Sequence, residues 1–91
     1  MSDHTGEPLT VEFKSIPEYW EKEEAGQKPN TERVMDAAPT TVRAALASGQ
    51  AVRIRITNTQ TMAVFERGLT DVSVIGSLCG KVIVVWSWQH E

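Results

Sequence analysis

Between Thr10 and Ile16 the apolar residues Val11 and Phe13 alternate with Glu12 and Lys14, the two-residue period of a strand with one buried face. Ser15-Ile16-Pro17-Glu18 then switches the pattern to a helix start. The Ser15 hydroxyl can accept from the Glu18 amide, Glu18 can reach back, and Pro17 suits the first helical position. Tyr19 and Trp20 follow Ile16 at helical spacing and Gly26 ends the helix, which leaves Glu18, Glu21, Lys22, Glu23 and Glu24 expected to face water. Gln27 to Asp36 is the least regular stretch: Pro29 and Asn30 are turn formers, and Thr31 to Met35 fits an extended segment. In such a segment Thr31 and Arg33 share a face and Glu32 points away. A second short helix is predicted from about Thr41 to Ser48, capped by Thr40 or Thr41 and closed by Gly49.

From Ala51 to Thr57 the alternation returns, with Val52, Ile54 and Ile56 inward and Arg53 and Arg55 outward. Asn58 to Thr61 predicts a hairpin loop. Met62 to Arg67 and Leu69 to Ile75 form extended runs separated by a bulge or bend at Gly68, and Gly76 to Gly80 predicts another turn. Val82 to Trp88 is apolar on both faces, the mark of a central strand. About five or six strands with two short helices present too many edges for a flat sheet. The expectation is an α+β fold, a small partly closed β-barrel with the helices over its openings. Residues 1–9 are expected as a flexible tail and residues 10–91 as one domain.

Composition narrows the function classes. A chain of 91 residues buries about 60–65% of its unfolded surface, which excludes a deep multi-domain cleft. The net charge of −3 argues against indiscriminate binding to a phosphate backbone. Charge is unevenly spread: Met1 to Asp36 holds four Lys/Arg and nine Asp/Glu, and Ala37 to Glu91 holds five and three. Cys79 is alone, the N-terminus has neither a basic region nor an apolar run, and no apolar run approaches the roughly 20 residues that span a bilayer. A soluble, cytoplasmic protein without membrane partners is expected. His4, His90 and Cys79 lack the paired spacing of zinc ligands, and there is no glycine-rich phosphate loop or serine elbow, so no metal or cofactor is expected.

The chemistry concentrates in Gly26-Gln27-Lys28-Pro29-Asn30-Thr31-Glu32-Arg33, where an amine, an amide, a hydroxyl, a carboxylate and a guanidinium fall within eight residues. Ordinary solvated loop residues would look the same. The series Tyr19, Gly26, Lys28, Thr31 and Arg33, placed after a strand and a short helix, resembles the signature of ASCH domains, members of the PUA-like superfamily. The stretch Phe13 to Thr31 resembles small ASCH-like proteins of bacteriophages and bacteria, and Val82 to Trp88 resembles their last barrel strand. The resemblance implies a small barrel with a cleft beside the motif loop that binds RNA, a short single strand or a modified nucleoside. One compact bacterial branch hydrolyses the acyl amide of N4-acetylcytidine with the motif Lys and Thr and a Glu from later in the chain. Lys28 and Thr31 match its first two positions and Arg33 matches the motif Arg. In the corresponding later region, Asn58 to Gly80, the carboxylates are Glu66 and Asp71, which makes Glu66 the candidate for the third role.

In the hydrolase alternative Lys28 activates the Thr31 hydroxyl and Glu66 shuttles a proton to the leaving amine. In the binding reading Lys28, Asn30, Thr31, Arg33, Arg53, Arg55 and Trp20 are the ligand-binding candidates, with Arg43 and Arg67 beside the cleft and Trp20, Tyr19 or Trp88 stacking on a base. Against these stand two plain alternatives: core packing for Trp20 and Trp86, and a solvent-facing row for Arg53 and Arg55. A third class is docking on a host protein through the acidic face Glu18, Glu21, Glu23 and Glu24.

Overall fold

The computed structural model describes residues 9–89. His4, His90 and the tail up to Pro8 lie outside the described residues; Leu9, expected in the tail, already belongs to a strand. In chain order the elements are β1 (Leu9–Ser15), α1 (Pro17–Glu24), β2 (Asn30–Met35), α2 (Thr40–Ala47), β3 (Val52–Asn58), β4 (Val64–Leu78) and β5 (Lys81–Trp88). The five strands form one curled sheet in the order β1-β3-β4-β5-β2, a partly closed half-barrel, with β1 parallel to β3 and the other neighbours antiparallel. β5, expected to be central from its two apolar faces, is an interior strand between β4 and the edge strand β2, and the middle position belongs to β4.

Alternation decides which side chains fill the barrel. Ile54, Ile56, Val84 and Trp86 are essentially inaccessible and form the core with Val52, Phe65, Leu69, Val72 and Trp88. Phe13 of β1 meets Trp86 of β5 edge to face at 5.0 Å, which draws the first edge of the sheet over its far side.

Three local expectations are corrected. Neither helix has a side-chain cap: Ile16 and Pro39 occupy the N-cap positions, and Ser15 is buried at the end of β1. Residues 64–78 are one long strand rather than two runs broken at Gly68. Gly68 is the last residue paired with β3, Leu69 is the first paired with β5, and the register shifts come afterwards, between Leu69 and Asp71 and between Val74 and Gly76. The turn expected from Gly76 is confined to Cys79 and Gly80, whose φ values of 51° and 80° suit a two-residue hairpin whose twist matches its strands.

The topology positions the site. The first two strands in sequence are the two edges of the sheet, so the connection between them, including α1, must cross the open side of the half-barrel. α1 is anchored there by the Trp20 indole N–H, which donates to the Ile56 carbonyl at 2.9 Å, and by the Trp20 ring against Phe65. Arg67 holds its far end. The guanidinium stacks over Phe65 and donates to the Glu24 carbonyl at 2.9 Å, a cation at the negative end of the helix.

Candidate functional site

The two sheet edges leave a seam, and a cleft of about 460 Å³ opens along it, within the size range of small-molecule sites. Lys14 and Ser15 come from β1, Ile16 lies at the turn into α1, Tyr19 and Glu23 come from α1, Lys28 lies in the loop, and Thr31, Glu32 and Arg33 belong to β2. The mouth has an apolar side, formed by Ile16 and Tyr19, each about half exposed, with the exposed Lys14 and Glu32 beside it.

Each polar group has a local reason to be where it is. Gly26 adopts a φ of 83°, the left-handed conformation that ends α1, and the Lys28 amide then donates to the Lys22 carbonyl at 3.1 Å. That fold-back sets Lys28 beside the last turn of the helix. Its ammonium donates to the Asn30 carbonyl at 2.8 Å and lies 3.6 Å from Glu23 Oε2. Thr31 pairs with Trp86 and Arg33 with Val84, both core residues of β5, so Thr31 and Arg33 do share the inner face while Glu32 stays exposed.

Arg33 spans the seam. It donates to the Lys14 carbonyl at 2.9 Å and the Ser15 hydroxyl at 3.1 Å, and it stacks over Phe13. Burial holds its guanidinium below the ordinary arginine value, with the charge of Glu23 acting the other way. One side chain thus bridges the two edges that the sheet leaves unpaired.

Glu23 is the residue that sequence reasoning missed. Expected to face water, it is 1% exposed, and its Oε1 is buried without a hydrogen-bond partner. Arg67 Nε, Trp86 Nε1 and Trp88 Nε1 share that condition among the described residues, but Glu23 alone of these four lines the cleft. A signal was present: Glu23 follows Ile16 by seven and Tyr19 by four positions, which puts all three on one helical face. The charge of the side chain outweighed its spacing.

Glu66 is not brought into the cleft. It projects from the outer face, where the register aligns Glu12, Arg55 and Glu66 across β1, β3 and β4. Arg55 holds Glu66 Oε2 at 2.6 and 2.8 Å and Arg53 reaches Oε1 at 3.3 Å. The hydrogen bond from Arg55 lowers the Glu66 carboxyl below the ordinary glutamate value, and the same bond raises the Arg55 guanidinium. Arg53 and Arg55 therefore sit in this outer ion network, away from the seam. Trp20 and Arg67 are bound beneath and beside α1, Trp88 is core, and Arg43 borders a separate depression between α2 and β4. Asn30 supplies its carbonyl to Lys28 and does not line the cleft.

The acidic face of α1 is correspondingly thinner than expected. Glu23 is buried, and Glu24 lies 3.9 Å from Arg67, which leaves Glu18 and Glu21 exposed beside Lys22. Among the described residues no group of three His, Cys, Asp or Glu side chains is placed to hold a metal ion, and no helix is long and apolar enough to cross a membrane. Comparisons with protein-family models, curated proteins and solved structures each return no match.

Proposed function

We propose that the seam cleft binds a nucleic-acid-derived ligand, a nucleoside or one base of a short single strand. The observation that carries this reading is the convergence of Lys28, Thr31 and Arg33 with a buried, half-satisfied carboxylate, Glu23, in one cleft whose mouth is lined by Ile16 and Tyr19. A flat ring with a polar edge matches that division. Tyr19 and Ile16 offer an apolar surface to the ring, and the interior offers donors and an acceptor to its edge. Glu32 in the cleft lining and the exposed Glu18 and Glu21 of α1 disfavour a long polyanion, so a single base or short strand suits the site better than duplex. Titration of the purified chain with nucleosides and with short RNA and DNA, followed by amide chemical shifts at several salt concentrations, tests it. Shifts confined to residues 14–33 are expected; their absence at millimolar ligand and low salt would defeat the reading.

A second reading has its own observation. With Glu23 in place of Glu66, a lysine, a threonine hydroxyl and a carboxylate line one cleft, the set needed to cleave an acyl amide such as that of N4-acetylcytidine. Thr31 Oγ would add to the acyl carbonyl and pass its proton to Lys28, which must first be neutral. Glu23, in its protonated form, would give a proton to the departing amine, and water would then release the acid from the acyl-threonine. Acetate release at high protein concentration, lost in Lys28→Met and Glu23→Gln and retained in Glu66→Gln, is the expected result.

A further inference from the structure

The hydrogen-bond capacity left in the cleft specifies which edge of a ligand it can take. A lysine ammonium has three donors. One goes to the Asn30 carbonyl, a second faces Glu23 Oε2, and a third remains; beside it Glu23 Oε1 is an acceptor with no donor. A carboxylate buried with one oxygen unmatched is costly to keep, because the desolvation penalty is not offset in the free protein. Arg33 commits its NH2 group to Lys14 and Ser15 across the seam, and none of its nitrogens donates to Glu23 Oε1.

We propose that Lys28 and Glu23 act together as a donor and acceptor pair that reads the Watson–Crick edge of an unpaired base. This rests on the nucleic-acid reading above and adds the recognition chemistry to it. Every nucleobase presents on that edge an N–H donor next to a carbonyl or ring-nitrogen acceptor. The base N–H goes to Glu23 Oε1 and the adjacent acceptor takes the spare Lys28 proton. In the free protein Oε1 is enclosed, so the edge reaches it as the Lys28 ammonium, carried on a flexible four-carbon stem, moves from Glu23 toward the ligand. Paired bases are excluded because their edge is already occupied. The Tyr19 ring, about half exposed at the mouth, supplies the stacking face.

The test compares ligands that differ only at that edge. Cytidine and uridine are titrated into the intact chain beside N4,N4-dimethylcytidine and N3-methyluridine, which keep the ring and lose the N–H. Hydantoin is the arm for a free cyclic ureide with the same donor and acceptor, and a stable RNA hairpin stem is compared with the same sequence unpaired. The methylated nucleosides are expected to bind about 10- to 100-fold more weakly, the cost of leaving a buried charged acceptor unmatched. Hydantoin is expected to bind more weakly than uridine, and the stem not to compete. Glu23→Ala, with retained spectral dispersion as the check on folding, is expected to erase the difference between parent and methylated ligands. Equal binding of parent and methylated nucleosides to the unmodified chain would overturn the edge inference and leave the cleft reading intact. Hydantoin binding as tightly as uridine would overturn the assignment to a base. Binding of none of the nucleosides would remove the cleft reading itself, and the inference with it.

Discussion

Glu23 and Glu66 stand on opposite sides of the same half-barrel, each beside a cation, and they are in opposite condition. Glu66 is a third exposed, both its oxygens are taken by Arg53 and Arg55, and Glu12 extends the network through Arg55. Glu23 is buried, touches Lys28 at 3.6 Å through one oxygen, and keeps the other unmatched. Exposed, saturated ion pairs of the first kind contribute little to stability and leave nothing to offer a ligand. The second kind costs free energy in the resting protein and is the kind of group that binding completes. Residue type does not separate the two; burial and unspent hydrogen-bond capacity do.

The most severe way to probe that contrast is to remove the floor beneath one side of it. Trp86 pairs in register with Thr31 and packs on Phe13, so Trp86→Ala is expected to cost about 3–5 kcal/mol and to abolish the cleft together with much of the fold, as read by chemical denaturation. Lys28→Met is milder. It leaves Glu23 without its cation, and because Lys28 is about one third exposed the expected loss is about 1 kcal/mol, with ligand affinity falling by at least about tenfold.

Glu23→Gln sharpens the comparison from the other direction. Removing a poorly compensated buried charge is expected to leave the melting temperature unchanged or raised while ligand binding falls, the opposite pairing of effects from a structural residue. A clear drop in melting temperature with binding intact would place Glu23 among the structural groups. Glu66→Gln should matter least, with no effect on binding and a small change in stability that disappears in high salt. Its pH signature has a definite sign. The folded Glu66 carboxyl lies below the ordinary glutamate value of about 4.3, so its contribution is present above that value and fades as pH falls through the folded one. The substitution is therefore expected to cost its small amount of stability throughout the range above about pH 4, neutral pH included, and the difference from the parent chain to close as pH falls below that, which flattens the acid limb of the profile.

Much of this was legible along the chain. Alternation marked β1, β3 and the interior strand β5, and the same period placed Thr31 and Arg33 on one face with Glu32 on the other. Helical spacing marks α1 and α2 to within about a residue, but not their caps: Ser15 is drawn into contact with Arg33 instead of capping α1, and α2 starts one residue early, with Pro39 at its N-cap and Thr40 inside the helix. Gly68 marks the residue after which β4 passes from β3 to β5, but the strand does not break there and runs beyond Ile75 to Leu78. That continuity comes from pairing with β5 across the hairpin, and no local pattern carries it.

The amino-acid order by itself determined the elements, the inward and outward sides of each strand, and the clustering of Lys28, Thr31 and Arg33 in a short loop and strand. Those follow from periods of two and of 3.6 residues and from turn chemistry, all of which act over a few neighbours. Tertiary structure decided which carboxylate joins them. Glu23 and Glu66 are equally polar in sequence, but the crossing of α1 over the open side of the half-barrel buries one against the seam, while β3 holds the other on the outer face between two arginines. Burial and saturation of a charged group depend on partners brought from elsewhere in the chain, here Arg53 and Arg55, which are 13 and 11 residues from Glu66. That is why the fold could be read from pattern and the site had to be read from space.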